Sequence, residues 1–259
     1  MKNHLNNFEI IRVAETTSTS EALKDMMVLS SHPSAKTESR LGLVLVADYQ
    51  TAGRGQRGNS WESERGKNLL MSVMLWPKGV EANLQFLLSQ MMALAIHDAV
   101  DAECLIKWPN DIYYGEKKLS GTIIENTLRG GMVEQCVLGV GVNVNQRVFK
   151  SDAPNPVSLC QIVGHEVDRE GLLNRLLERF GYWYGVLLNG GGDEIASAYV
   201  ERLMWREGLH RYCDASGEFE AEFVNVEPDG RLVLRDTNGK IRGYYFKEVK
   251  HVLFDYLTI

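Results

Sequence analysis

The sequence predicts an α+β fold in two parts, a larger mixed region followed by a small all-β module. Three observations predict it. Two long stretches, 80–101 and 168–188, carry apolar side chains at helical spacing. Short Val- and Leu-rich runs lie around them without the regular βαβ alternation of a parallel sheet. From about Gly208 the texture changes to brief alternating runs separated by turn signals. The expected division is therefore 1–208 and 209–259.

Residues 41–49, LGLVLVADY, suit a buried strand, and 69–76, LLMSVMLW, suit another that Pro77 stops. Within 80–101, Leu84, Leu87, Leu88, Met91 and Ala95 mark a core-facing helix, interrupted by Ser89 and Gln90. Strand-like pieces follow at 104–108, 111–115, 119–128 and 131–145. Leu172, Leu173, Leu176, Leu177 and Phe180 line one side of the second helix, which Asn189 to Gly192 end. In the last fifty or so residues, Ser216-Gly217, Pro228-Asp229-Gly230 and Asn238-Gly239 are turns of a small β-barrel or SH3-like module.

Composition narrows the function. With 259 residues, 44% of them hydrophobic, a sizeable core is expected. A formal net charge of −6 gives no general support to nucleic-acid binding. The N-terminus MKNHLNNFEI has no basic region leading into an apolar stretch, and no segment is long and apolar enough to span a membrane, so a cytoplasmic protein is expected. Cys104, Cys136, Cys160 and Cys213 lie far apart and the histidines are scattered. Neither a disulfide framework nor a protein-ligated metal is expected.

Five segments carry the chemistry. In Gln50–Trp61, QTAGRGQRGNSW, glycines at 53, 55 and 58 permit close backbone approach, and Arg54 and Arg57 offer forked donors to phosphate or carboxylate. It reads as an anion-binding loop. The literal G-x-G-x-x-G is not a dinucleotide fingerprint, because no helical pattern follows it. In Lys107–Asp111, KWPND, a lysine and two polar side chains flank a Pro-fixed turn, suiting a nucleotide or Mg²⁺. In Lys117–Glu125, KKLSGTIIE, lysines enter an apolar strand, which is costly unless they meet an anion. In Gly139–Asn145, GVGVNVN, two glycines in a Val-rich strand admit a ligand or another backbone, and alternation puts Asn143 and Asn145 on their face. In Glu15–Leu23, ETTSTSEAL, hydroxyl residues precede a short helix, with either Thr19 or Ser20 as N-cap.

Together and in this order, the segments resemble the biotin protein ligase family, and the resemblance covers most of the chain. It implies a mixed sheet flanked by helices, of class II synthetase type, as a catalytic biotin- and ATP-binding domain, with an SH3-like β domain after it. It implies that ATP activates biotin as biotinyl-5'-AMP and that a lysine of a biotin carboxyl carrier protein then takes the biotin.

The same resemblance assigns Ser18, Thr19 and Ser20 to the biotin ureido ring, Ser20 departing from the family's Asn. Gln50 matches the loop glutamine. Arg54, Gly55 and Gln56 fall at positions that contact the intermediate, Gln56 standing where repressor-type members have Arg. Lys118 matches the lysine that touches both the biotin carboxylate and the α-phosphate. Arg54, Arg57, Trp61, Lys107, Asn110, Lys118 and Asn143 are implied on the ATP side, with Mg²⁺. Lys118, Arg54 and Asp111 are the implied catalytic residues, Asp111 as base or orienting group for a carrier lysine whose free pKa is about 10.4.

No room remains ahead of the first motif for the DNA-binding domain of repressor-type members, so a ligase without DNA binding is expected, monomeric or homodimeric. The competing readings are a lipoate or octanoate ligase or transferase, whose loop is typically RR-x-x-GGG, and a non-catalytic nucleotide- or RNA-binding module. The strongest requirement is spatial: the cations at 54, 107 and 118 must converge on one pocket.

Overall fold

A computed structural model describes residues 8–29, 41–151 and 155–253. Seven strands form one mixed sheet: β1 (Phe8–Val13), β2 (Gly42–Ala47), β3 (Leu69–Leu75), β4 (Leu105–Lys107), β5 (Asp111–Tyr114), β6 (Lys117–Arg129) and β7 (Met132–Val142). Their order is β1-β2-β3-β7-β6-β5-β4, with β1 and β2 parallel and the other neighbours antiparallel. The helices are α1 (Thr19–Leu29), α2 (Phe86–Ala99), α3 (Leu159–Val163), α4 (Arg169–Leu188) and α5 (Gly192–Glu201). Strands β8 (Leu209–Asp214), β9 (Gly217–Val226), β10 (Leu232–Asp236), β11 (Ile241–Tyr244) and β12 (Lys250–His251) make a second, antiparallel sheet.

Strand alternation decides what each face of the large sheet holds. On β3, Met71, Val73 and Leu75 join the main core with α2 and α4, while Met74 joins Leu23 of α1, Leu45 and Val137 on the other face. Every residue of β3 is buried, as expected for a strand covered on both sides. Ser72 shares the α1 face with Met74, and there the sheet carries a floor of small residues. Ser72 pairs with Gly139, and Gly141 pairs with Gly121.

Two expected elements are shorter than their apolar patterns. Helix α2 begins at Phe86, not near 80, because the preceding backbone is committed to the start of β7: Val133 N–H donates to Val80 O and Ala82 N–H to Gly131 O, both at 2.9 Å. Strand β7 ends at Val142, since Asn143 N–H turns to Leu119 O (3.0 Å) and Asn145 N–H to Lys67 O (2.8 Å). The ladder thus ends before Asn143 and Asn145, although Val144 still joins the core of Val140 and Val142 and leaves Asn143 toward the other face.

Helix α4 matches its expectation, starting after Asp168, whose carboxylate accepts from Glu170 N–H at 3.0 Å. Among the described residues no helix is long and apolar enough to cross a membrane. The second sheet begins at Leu209, beside the texture change near Gly208, and Gly217, Gly230 and Gly239 of the three expected turns all have positive φ. It packs against the first at the KWPND turn, where Trp108 Nε1 donates to Gly230 O at 3.0 Å.

Candidate active site

The site forms on the α1 face of the large sheet. Ser18 is the N-cap of α1, in place of Thr19 or Ser20, because its carbonyl accepts the first helical bond from Ala22 N–H at 3.0 Å. Ser18, Thr19 and Ser20 are all buried. Thr19 donates its N–H (2.8 Å) and its hydroxyl (3.1 Å) to Gln50 Oε1. Ser72 Oγ lies 2.7 Å from Thr19 Oγ1 and 2.9 Å from Ser20 Oγ. A Cβ added to Gly139 would stand 2.6 Å from Ser20 Oγ, so only glycine fits beneath this hydroxyl cluster. Ser72 was missed in the sequence; its signal was a lone hydroxyl in the apolar run LLMSVML.

The glycine-rich loop is a closed hairpin. Trp61 N–H donates to Gly53 O at 2.9 Å and Gly55 N–H to Asn59 O at 2.6 Å. A short 3₁₀ turn spans Gln56–Gly58. The hairpin lays the Trp61 indole on the glycine floor: a Cβ at Gly141 would overlap the ring, and one at Gly121 would stand 3.1 Å from Trp61 Cζ3 and from Lys118 Nζ. Gln56 crosses to the opposite wall, donating to Thr122 O (3.0 Å) and more loosely to Asn110 Oδ1 (3.4 Å). The side chain of Arg57 lies outside the described residues.

Three strands supply the charged wall. In register, Lys107 pairs with Asp111 across β4 and β5, and Tyr113 with Lys118 across β5 and β6. Lys118 Nζ reaches Asp111 Oδ2 at 2.7 Å and lies 5.9 Å from the Trp61 ring. Lys107 Nζ stands over Tyr113, 5.2 Å from its centroid. Burial holds the Lys107 ammonium below the ordinary lysine range; Asp111 raises it and the charge of Lys118 lowers it again. Among the described residues Asp111 pairs with Lys118 alone, so Lys107, close enough to feel both charges, is left for a further anion.

The turn between β4 and β5 is pinned from three sides. Asn110 Nδ2 donates to Ser89 Oγ of α2 (3.0 Å), Tyr199 of α5 donates to Pro109 O (2.8 Å), and Trp108 reaches the second sheet. The break in the apolar pattern of α2 at Ser89 thus has a use.

Of the three cations expected to meet, the structure brings two together. Lys107 and Lys118 flank Asp111, whereas the half-exposed Arg54 pairs with Glu21 on the first turn of α1. The base of its loop nonetheless lies beside Lys118 through Trp61. Asn143 is buried and donates to Val157 O at 3.1 Å, while Asn145 clamps Val167 through both amide atoms (2.9 and 2.8 Å), a structural role. Among the described residues three buried polar atoms in this region lack a protein partner: Trp61 Nε1, Gln56 Oε1 and Asn143 Oδ1. Buried polar atoms are seldom left so, and one donor with two acceptors suits a polar ligand.

A mixed sheet with a glycine-rich loop lying beside a lysine–carboxylate wall suits an enzyme that brings anionic groups together over a floor of glycines. The family model "Biotin/lipoate A/B protein ligase family" matches residues 11–143, and the chain belongs to that family. The biotin--[acetyl-CoA-carboxylase] ligase of Paracoccus denitrificans is 30% identical over 76% of this chain and 85% of its own length. The protein of the same name from Mycobacterium tuberculosis is 35% identical over 77% and 75%. The biotin protein ligase from Aquifex aeolicus in complex with biotin and ATP superposes with a TM-score of 0.72 at 25% identity, covering 94% of this chain and 99% of that one.

Proposed function

We propose that the chain is a biotin–protein ligase: it activates biotin with ATP to biotinyl-5'-AMP, then transfers the biotin to a lysine of a biotin carboxyl carrier protein. One observation carries the reading. Lys107 and Lys118 converge around Asp111, directly beside a glycine-rich loop whose indole lies on a floor of glycines. Attack of a carboxylate on the α-phosphorus of ATP joins two anions, and pre-placed cations stabilise the charge on the phosphoryl oxygens.

In this reading Lys118 bridges the biotin carboxylate and the α-phosphate, and Lys107 faces the nucleotide with Asn110 and Asn143. Asp111, already paired with Lys118, orients that lysine. Ser18, Thr19, Ser20 and Gln50 hold the ureido ring. The hydroxyl of Ser20, already shared with Ser72, stands where an amide would reach further. Arg54, Gly55, Gln56, Arg57 and Trp61 close over the mixed anhydride and keep water from it. Among the described residues no group of three or more His, Cys, Asp or Glu is placed to hold a metal ion. The donors present fit Mg²⁺ carried on the nucleotide's phosphates, where it would neutralise charge, with Asp111 as a neighbouring carboxylate.

The test is transfer of labelled biotin to a purified carrier domain with ATP and Mg²⁺, alongside biotin-dependent ATP–pyrophosphate exchange. Wild type is expected to do both, and Lys118→Ala and Arg54→Ala to lose most exchange while staying folded. Strong exchange with lipoate and none with biotin would reverse the substrate assignment.

A further inference from the structure

The chain just after Trp61 is stitched to the chain just after β7 by a run of polar side chains outside the expected site. Asn68, fully buried, accepts from Val144 N–H (3.0 Å) and donates to Gln146 Oε1 (2.7 Å). Gln146, also buried, accepts from Glu64 N–H (2.9 Å) and donates to Glu62 (3.2 Å). The Glu62 carboxylate then accepts from two successive backbone amides, Lys150 N–H at 2.9 and 3.0 Å and Ser151 N–H at 2.7 Å. Partial burial pushes this carboxyl up, but the bonds from Ser151, Lys150 and Gln146 outweigh it and hold it below its usual range.

Both ends of the stitch reach the reacting groups. Glu62 directly follows Trp61, whose ring lies over Gly141 and beside Lys118. On the other side, Lys118 N–H donates to Asn155 O (2.8 Å) and Val157 N–H to Lys118 O (2.9 Å), while Val157 O receives Asn143 Nδ2. Through Gln146, Glu62 joins the chain that follows Trp61 to the 143–151 stretch, whose Asn143 donates to Leu119 O and Val157 O on either side of the Lys118 backbone.

We infer that Glu62 is a positioning residue for adenylate formation: by binding Gln146 and the amides of 150 and 151 it holds the 143–151 stretch against the chain after Trp61, and so keeps Trp61 and Lys118 in the mutual placement the reaction needs. The inference rests on the ligase reading. An anion beside a site for anions would ordinarily repel substrate; here amide donors take up its charge, so it can serve as a clamp.

The experiment compares wild type, Glu62→Ala and Glu62→Gln by two readouts. One is amide hydrogen exchange at 150 and 151 without substrate; the other is kcat and KM in biotin-dependent pyrophosphate exchange. For Glu62→Ala, amide exchange is expected to speed up at least about tenfold and kcat to fall about tenfold, with KM for biotin changed less than about twofold. Glu62→Gln keeps one acceptor oxygen and is expected to recover kcat to within about threefold of wild type; it also carries the test if the alanine variant fails to fold. Unchanged kcat despite exposed amides would overturn the inference, as would amides that stay protected in Glu62→Ala. A wild type without biotin-dependent exchange would overturn the ligase reading and this role with it. That failure is separable, because amide protection is read without any substrate.

Discussion

Lys107, Asp111 and Lys118 stand on three neighbouring strands, whereas Arg54, Gln56 and Trp61 stand on one loop, and the two groups are committed to different degrees. The strand ladder sets its charges side by side through register, Lys107 opposite Asp111 and Tyr113 opposite Lys118, and Lys118 then reaches Asp111. The loop is closed by its own backbone bonds and tied at its start to the chain before α1, and its side chains take partners the protein offers: Glu21 for Arg54, Thr122 O and Asn110 for Gln56. A strand wall is pre-organised for charge stabilisation, while a loop wall can exchange partners when a ligand arrives. The catalytic weight should therefore sit on the strands and the adjustable contacts on the loop.

Lys118→Ala breaks the strand wall and has the largest expected effect. Loss of a lysine that contacts two anions in the transition state should lower biotin-dependent pyrophosphate exchange by about 100-fold or more. A loss under about fivefold would show that the strand wall is not where the chemistry is held. Gly141→Val attacks the seam between the walls. Its side chain would overlap the Trp61 ring, which must then leave the glycine floor. Exchange should fall by about 10- to 30-fold, with the unfolding midpoint little altered; full activity would mean that the position of the indole is irrelevant.

The same contrast governs what the sequence revealed. Strand β3 and helix α4 were legible because burial on both faces and helical spacing write themselves into residue order. Lys107 and Asp111 could be named as charged groups about a Pro-fixed turn, whereas only the family resemblance separated Lys118 from Lys117. The placement of Arg54 was not legible. A loop cation takes the nearest anion, and Glu21 on α1 announces nothing in sequence about where its helix lies. The end of β7 was hidden for a related reason: the pattern of GVGVNVN runs on, but the backbone of Asn143 is claimed by Leu119 O. The role of Glu62 depends on amides nearly ninety positions away and has no local signature.

The strand wall can be sharpened from behind. His251 of β12 packs 5.0 Å from the Trp205 ring and 5.2 Å from that of Tyr212, and burial, with the charges of Lys107 and His210, lowers it to about 3. The unfolded chain binds this proton near pH 6.5 and the folded chain only near 3. Its contribution to stability is thus complete above about 6.5 and is lost as pH falls through that window, at about 1.4 kcal/mol per pH unit. His251→Phe keeps a ring for the stack but cannot titrate. Chemical denaturation at pH 7.5 and 5.5 should show wild type losing about 1.4 kcal/mol more than the variant. Equal losses would mean that the second sheet does not hold this imidazole neutral against Lys107.

The smallest effect tests the loop. Glu21 and Arg54 form an exposed pair, and such pairs contribute about 0–1 kcal/mol. If Arg54 leaves Glu21 for an anion of the substrate, that is the most the competition can cost. Glu21→Gln should therefore lower KM for ATP by up to about fivefold at low salt, and the advantage should fade as ionic strength rises. Lys118 should show no such gain when its own partner is removed: Asp111→Asn frees the ammonium but also loses the group that aims it. Improvement in Glu21→Gln together with loss in Asp111→Asn would mean that a carboxylate restrains the cation on the loop and places the cation on the strand. Improvement in both would erase the distinction, leaving two equivalent ion pairs that substrate must displace.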